Sequence, residues 1–168
     1  RDINAAAELL EAGADKVAVN TAALRDPSLV ARLADRFGSQ CVTVSIDAVA
    51  GGRSAWQVVV RAGTERTAVD VVEWAERVQE LGAGEVLLTS VDRDGTGRGY
   101  DLPLITAVTS RVRVPVVASG GARTPDDLAA ALRAGADAVL AASVFHDGDV
   151  SVSETKIALW KAGVEVRL

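Results

Sequence analysis

One carboxylate, Asp47, ends the otherwise apolar run Cys41–Asp47 (CVTVSID). A carboxylate at such a strand end is placed to act as a general acid or base; capping a helix or holding a loop is the other use of the same residue. Hydroxyl-bearing or small residues end three more apolar runs, at Asn20-Thr21, at Ser119-Gly120-Gly121 and at Ala142-Ser143. Backbone N–H groups beside small residues can approach a phosphate closely. Ser119, Gly120 and Gly121 with Ala142 and Ser143 therefore form a candidate phosphate cradle, although glycines also serve simply to turn a chain. Asp92 to Asp101 (DRDGTGRGYD) is a polar, glycine-rich segment. It is either a loop that orders over a substrate, with Asp94-Gly95 as the contact point, or a turn whose Asp side chains satisfy their own backbone. Lys16 and Glu85 begin their runs, at the opposite ends from the cradle residues, where a rim salt bridge or snorkelling is the ordinary reading. His146 reads as a rim or structural residue, and Cys41, at a strand start, as core.

Composition narrows the chemistry. The 168 residues carry 18 basic and 23 acidic side chains for a net charge of −5, and no stripe of Lys and Arg argues for nucleic acid as the partner. One cysteine and one histidine exclude an internal disulfide and a cysteine- or histidine-rich metal centre; no metal and no cofactor are expected. No apolar stretch approaches the roughly 20 residues of a membrane helix, and Arg1–Leu10 lacks the marks of a signal peptide, so the expected location is the cytoplasm and no membrane partner is expected. The chain contains no methionine and starts at Arg1, which suggests a processed product or fragment.

These residues must be held by something, and the periodicity says what. Five short apolar runs, Lys16–Asn20, Cys41–Asp47, Glu85–Ser90, Val114–Ser119 and Ala138–Ser143, are nearly continuous in hydrophobicity, as parallel strands covered on both faces are. Between them lie helical stripes: Pro27–Phe37 behind an Asp26 cap, Thr67–Leu81, and a helix opened by Thr124-Pro125-Asp126-Asp127 and closed by Gly135. Strict alternation of this kind predicts right-handed βαβ units on a parallel sheet. Trp56–Arg61 (WQVVVR), bounded by Gly51-Gly52 and Gly63, reads as an extra hairpin before the next helix.

An internal repeat sets the size of the whole. Gly13-Ala14-Asp15-Lys16-Val17-Ala18-Val19-Asn20-Thr21 matches Gly135-Ala136-Asp137-Ala138-Val139-Leu140-Ala141-Ala142-Ser143, 122 residues later. That interval spans four βα units of about 30 residues, so twice the interval approaches the roughly 250 residues of a (β/α)8 barrel. The expected architecture is a single domain, residues 1–168, forming an incomplete (β/α)8 TIM barrel of five βα units. These correspond to barrel strands 4–8, with the hairpin inserted after strand 5 and three strands expected before Arg1. Active sites of such barrels lie at the strand C-terminal ends.

Several segments taken together resemble a known family. Asp15–Ala23 (DKVAVNTAA), Phe37–Gln40 leading to Val44–Ala48 (VSIDA), Leu87–Thr96 (LLTSVDRDGT), Ala118–Ala122 (ASGGA), Ala141–His146 (AASVFH) and the ending Val166–Leu168 resemble, in order, the cyclase subunit of imidazole glycerol phosphate synthase, over the C-terminal two-thirds of that family's chain. The resemblance implies a lyase/cyclase of histidine biosynthesis. Such an enzyme uses ammonia from a glutaminase subunit, its heterodimer partner, to convert a bis-phosphate formimino aminoimidazole carboxamide ribonucleotide to imidazole glycerol phosphate and aminoimidazole carboxamide ribonucleotide. It implies that Asp47 is one of two catalytic carboxylates, the other lying upstream of Arg1. Asn20 and Thr21 would contact one phosphate, and Ser119, Gly120, Gly121, Ala142 and Ser143 the other. Thr89, Asp94 and Gly95 would lie against the substrate, and Lys16 and Glu85 would gate the ammonia entrance. The 168 residues alone are expected to be inactive. The alternative is a non-catalytic, phosphate-binding or self-associating fragment that covers its exposed edge with a second copy. The related sugar isomerase of the same pathway is disfavoured by the DRDGT and AASVFH segments.

Overall fold

The computed structural model describes residues 2–51 and 55–167; Gly52 of the expected hairpin boundary, Arg1 and Leu168 lie outside them. In chain order the elements are α1 (Ile3–Glu11), β1 (Val17–Val19), α2 (Thr21–Arg25), α3 (Ser28–Phe37), a 3-10 turn (Ser39–Cys41), β2 (Val42–Ala50), β3 (Trp56–Val60) and β4 (Glu65–Asp70). They continue as α4 (Val71–Glu80), β5 (Glu85–Ser90), α5 (Leu102–Thr109), β6 (Val116–Ser119), α6 (Pro125–Arg133), β7 (Ala138–Leu140), α7 (Ser143–His146) and α8 (Val152–Lys161).

The strands make one seven-stranded sheet ordered β4-β3-β2-β5-β6-β7, with β1 also paired to β2. Five strands, β1, β2, β5, β6 and β7, are mutually parallel, and the β3–β4 hairpin is antiparallel to β2. The alternation of strand and helix thus yields the parallel α/β sheet that the sequence predicts, while the count of strands is larger than five. The reason lies along β2. Its nine residues outrun the three of β1, so β1 pairs Val42–Val44 and the hairpin takes Asp47–Ala50. An open strand edge is satisfied by whichever backbone reaches it.

Several boundaries differ from the sequence reading. Thr67–Asp70 is strand, not the first turn of a helix; it pairs back on β3, and Asp70 caps α4 by accepting from the N–H groups of Val72 and Glu73. Cys41 belongs to the 3-10 turn rather than to a strand. The Asp26 side chain accepts from the Ser28 hydroxyl and the Arg32 guanidinium, and α3 begins one residue later than expected. β7 ends at Leu140, and Ser143 already starts α7. Nor is β7 covered on both faces: Ala138 and Leu140 are exposed, as befits a strand paired on one side only among the described residues.

Period-two alternation assigns the faces. Val42, Val44, Ile46, Val86, Leu88, Val116 and Ala118 are all 0–1% exposed and pack under the helices; full burial of an aliphatic side chain of this size contributes about 1.5–3 kcal/mol. The alternate residues form rows across the other face: Thr43 beside Glu85, then Ser45, Leu87, Val117 and Ala138, then Asp47, Thr89, Ser119 and Leu140. One face is therefore hydrocarbon, and the other carries the polar chemistry.

Candidate active site at the strand C-terminal ends

Asp47, Thr89 and Ser119 are register partners on three adjacent parallel strands, so the parallel ladder places their side chains side by side at the C-terminal rim. Asp47 is half-buried, and its Oδ2 accepts a 2.9 Å hydrogen bond from Nδ2 of Asn20, at the end of β1. Burial pushes the Asp47 carboxyl above the usual carboxylate range; the Asn20 hydrogen bond opposes that shift, and the negative charge of Asp94 adds to it. The influence of Asp94 on Asp47 was not visible in the sequence, where 47 residues separate them.

Asp94 reaches this position because of the way Val91–Asp101 folds. The N–H groups of Arg93 and Asp94 both donate to the Ser90 carbonyl, and that of Gly99 donates to the Gly121 carbonyl at 2.8 Å. Two of the loop's carboxylates are consumed in holding it. Asp92 accepts from the Ala50 N–H at 2.7 Å, and Asp101 accepts from the Leu104 N–H and from the Trp56 indole at 3.1 and 3.2 Å. Asp92 and Asp101 are thus structural, with Asp92 bonding a distant strand rather than its own turn, and Asp94 lines a cavity.

That cavity, about 230 Å³, is lined by Asp94, Gly95, Ser119, Gly120, Gly121, Ala142 and Ser143, with Gly97, Ala122, Leu140 and Ala141 completing it. Seven residues singled out from the sequence thus share one concavity. Gly121 has φ +99°, and a Cβ there would strike the Gly99 carbonyl oxygen, so the loop and the cradle can approach only with glycine at this position. The Tyr100 hydroxyl, its phenol held above its ordinary range chiefly by burial, donates to the Leu140 carbonyl at 2.8 Å and ties the loop to β7.

The other strand-end pair is arranged differently. The Asn20 side chain is engaged with Asp47, and the Thr21 hydroxyl accepts from the Arg61 N–H at 3.3 Å. Thr21 lines a larger cavity of about 680 Å³ together with Arg25, Arg32 and Arg61. Arg32 is paired with Asp26, and Arg61 with Glu65. Volume alone would favour this cavity, but Asp47 and the cradle lie outside its lining.

At the N-terminal strand ends Lys16 Nζ lies 2.6 Å from Glu85 Oε2, and the Thr43 hydroxyl donates to Glu85 Oε1 at 2.9 Å. Thr43, which the sequence reading passed over, is 5% exposed; its signal was its place two residues before Ser45 and four before Asp47 on one strand face. His146 ends α7 and lies outside the lining of the cradle cavity. Among the described residues no group of three or more His, Cys, Asp or Glu side chains is arranged to hold a metal ion, and no helix is long and apolar enough to cross a membrane.

A carboxylate of raised pKa near a concavity lined by small residues, both at the C-terminal ends of a parallel α/β sheet, lies where active sites lie in TIM-barrel enzymes. The family can be stated: residues 1–151 match the profile described as histidine biosynthesis protein, and the chain belongs to that family. It is 56% identical over 170 residues to the imidazole glycerol phosphate synthase subunit HisF of Caulobacter vibrioides, covering 100% of this chain and 65% of that one. The HisF subunit of Pyrobaculum aerophilum is 55% identical over 168 residues, covering 100% and 66%. That of Metallosphaera sedula is 52% identical over 168 residues, covering 99% and 66%. The chain thus spans just under two-thirds of the length of these relatives.

Proposed function

We propose that this chain is the C-terminal part of a (β/α)8-barrel cyclase of histidine biosynthesis, a single domain whose five parallel strands correspond to barrel strands 4–8 with the β3–β4 hairpin inserted after strand 5. The reaction joins ammonia, supplied by a glutaminase subunit, to a bis-phosphate formimino aminoimidazole carboxamide ribonucleotide, and releases imidazole glycerol phosphate and aminoimidazole carboxamide ribonucleotide. The observation that carries this reading is Asp47: half-buried, oriented by Asn20, in the field of Asp94, and in register with Thr89 and Ser119 beside the cradle. A carboxyl group with a raised pKa retains its proton nearer neutrality, so it can donate as well as accept protons, as cleavage followed by ring closure demands.

In this reading Ser119, Gly120, Gly121, Ala142 and Ser143 hold one phosphate through backbone N–H groups and hydroxyls, and Asn20 and Thr21 belong to the site of the other. Thr89, Asp94 and Gly95 lie along the substrate between them. Lys16 and Glu85, paired at the far end of the strands, gate ammonia entry on the face where the glutaminase docks. The site works in the cytoplasm, without metal or cofactor, and its second catalytic carboxylate belongs to the upstream third of the relatives, so the 168 residues by themselves are inactive. Supplying that upstream segment from a relative, fused or co-expressed, is expected to give ammonia-dependent turnover that Asp47→Asn lowers about 10³-fold. Turnover that survives Asp47→Asn overturns the role of Asp47.

The alternative of a self-associating, phosphate-binding fragment is favoured by one observation: Leu140, Val152, Ile157 and Trp160 are 44–59% exposed on β7 and α8. Sedimentation should then show a concentration-dependent dimer that Trp160→Lys disperses; a monomer at all concentrations removes this reading.

A further inference from the structure

The cradle cavity is poor in positive charge. Its lining contributes one carboxylate, Asp94, and no cation among the described residues. An adjoining cavity of about 230 Å³ shares Gly95, Gly97, Ala122 and Ser143 with it and adds Asp147 and Asp149. A phosphate monoester, with a charge of about −1.5 to −2 at neutral pH, would thus enter a region bordered by three carboxylates. Helix α6, next to the cradle, brings no relief. Its capping box is closed on itself, with Asp127 accepting from the N–H groups of Arg123 and Thr124 at 3.1 and 2.8 Å and Thr124 accepting from the N–H of Asp127.

Arg123 is the one cation lining either cavity among the described residues. It directly follows Ala122, which borders both. Its side chain runs along the rim loop, with Cδ at 3.3 Å and Nη1 at 3.6 Å from where a Cβ on Gly97 would stand, so the bare glycine leaves room for it. No carboxylate among the described residues lies within 4.0 Å of its guanidinium, although Asp147 and Asp149 share its cavity. A guanidinium without an ion-pair partner, set beside a neutral cradle amid carboxylates, has the geometry and the charge to complete a phosphate site.

We propose that Arg123 seats the phosphate group at the Ser119–Gly121 and Ala142-Ser143 strand ends, its guanidinium reaching in from the adjoining cavity past Gly97. The inference rests on the reading of those strand ends as a phosphate cradle. Backbone N–H groups fix where the phosphate lies, and Arg123 offsets the surrounding acids. The site therefore favours a dianionic phosphate monoester over neutral sugars.

The test is titration of the isotope-labelled chain with inorganic phosphate, followed through the amide signals of Gly120, Gly121, Ala142 and Ser143. Arg123→Ala is expected to weaken phosphate binding about tenfold and to flatten its salt dependence, and Arg123→Lys to restore affinity to within about threefold of the parent. Cradle amides that shift with equal affinity in the parent and in Arg123→Ala overturn the assignment of Arg123 and leave the cradle standing. Cradle amides that do not shift even in the parent overturn the cradle reading and the assignment together.

Discussion

At Gly13 the chain leaves α1 with φ +104°, and at Gly135 it leaves α6 with φ +107°. The residues before these glycines, Ala12 and Ala134, have φ/ψ of −74/−3° and −76/−1°. Each copy then runs through Ala-Asp into a three-residue parallel strand and a short helix, Thr21–Arg25 or Ser143–His146. What the two strand ends face differs. At the end of β1 the side chains are engaged, with Asn20 on Asp47 and Thr21 accepting from the Arg61 N–H beside an arginine-lined cavity, whereas the end of β7 meets the small-residue cavity and is tied to the rim loop by Tyr100. Nine matched residues therefore specify a helix exit, a turn and a strand. What the strand end does is set by its neighbours: β1 lies beside β2, whose long edge brings the hairpin over it, and β7 lies at the sheet's edge against the rim loop.

The sharpest way to separate the two copies is at their glycines. Both φ values strain any L-residue, but a Cβ on Gly135 would also stand 2.6 Å from Thr109 Oγ1, whereas one on Gly13 meets nothing within 4 Å. Gly135→Ala is expected to cost about 3 kcal/mol and Gly13→Ala about 1, as read by urea unfolding; equal losses would mean that backbone strain alone governs both exits. Tyr100→Phe acts on the β7 copy only. It removes the donor to the Leu140 carbonyl, with an expected loss of about 1–2 kcal/mol and faster hydrogen exchange in β7 than in β1. Uniform protection in the two strands would break the contrast.

Smallest is the effect at the β1 end. Asn20→Ala removes a hydrogen bond that favours the charged form of Asp47, so the Asp47 carboxyl should titrate higher still in a carboxyl-detected NMR titration. The sign for stability follows. A carboxyl whose folded pKa is raised contributes stability that is fully present below the unfolded value near 3.8 and is lost as pH rises through the folded pKa. Asp47→Asn should therefore gain stability over the parent as pH rises through that range and show no gain at lower pH. A gain that is independent of pH would show that burial does not act on the charge of Asp47.

Much of the site was legible because it depends on short-range rules. Alternating apolar runs and helical stripes exposed the parallel sheet, and small or hydroxyl residues at the ends of those runs marked Ser119–Gly121 and Ala142-Ser143, which line one cavity in the fold. Thr67–Asp70 misled because its spacing also suits a helix; pairing with β3 overrode that local preference. The bonds of Asp92 to Ala50 and of Asp101 to Trp56 gave no sign of themselves, since the partners lie about 40 residues away in the sequence, whereas the Asp101 cap on Leu104, with Pro103 in the first turn of α5, is a local signal that the sequence reading passed over.

By itself the sequence determined the alternation of elements, the repeated exits at Gly13 and Gly135, and the residue types waiting at each strand end, because these follow from backbone preference and from which side chains must leave water. Tertiary structure alone decided that β2 serves two partners along one edge, that Asn20 and Asp94 act in opposite senses on Asp47, and that Arg123 lies beside the cradle. Hydrogen bonds and Coulomb fields act over a few ångströms of space, and the separation of two residues along the chain says little about that distance until the sheet has formed.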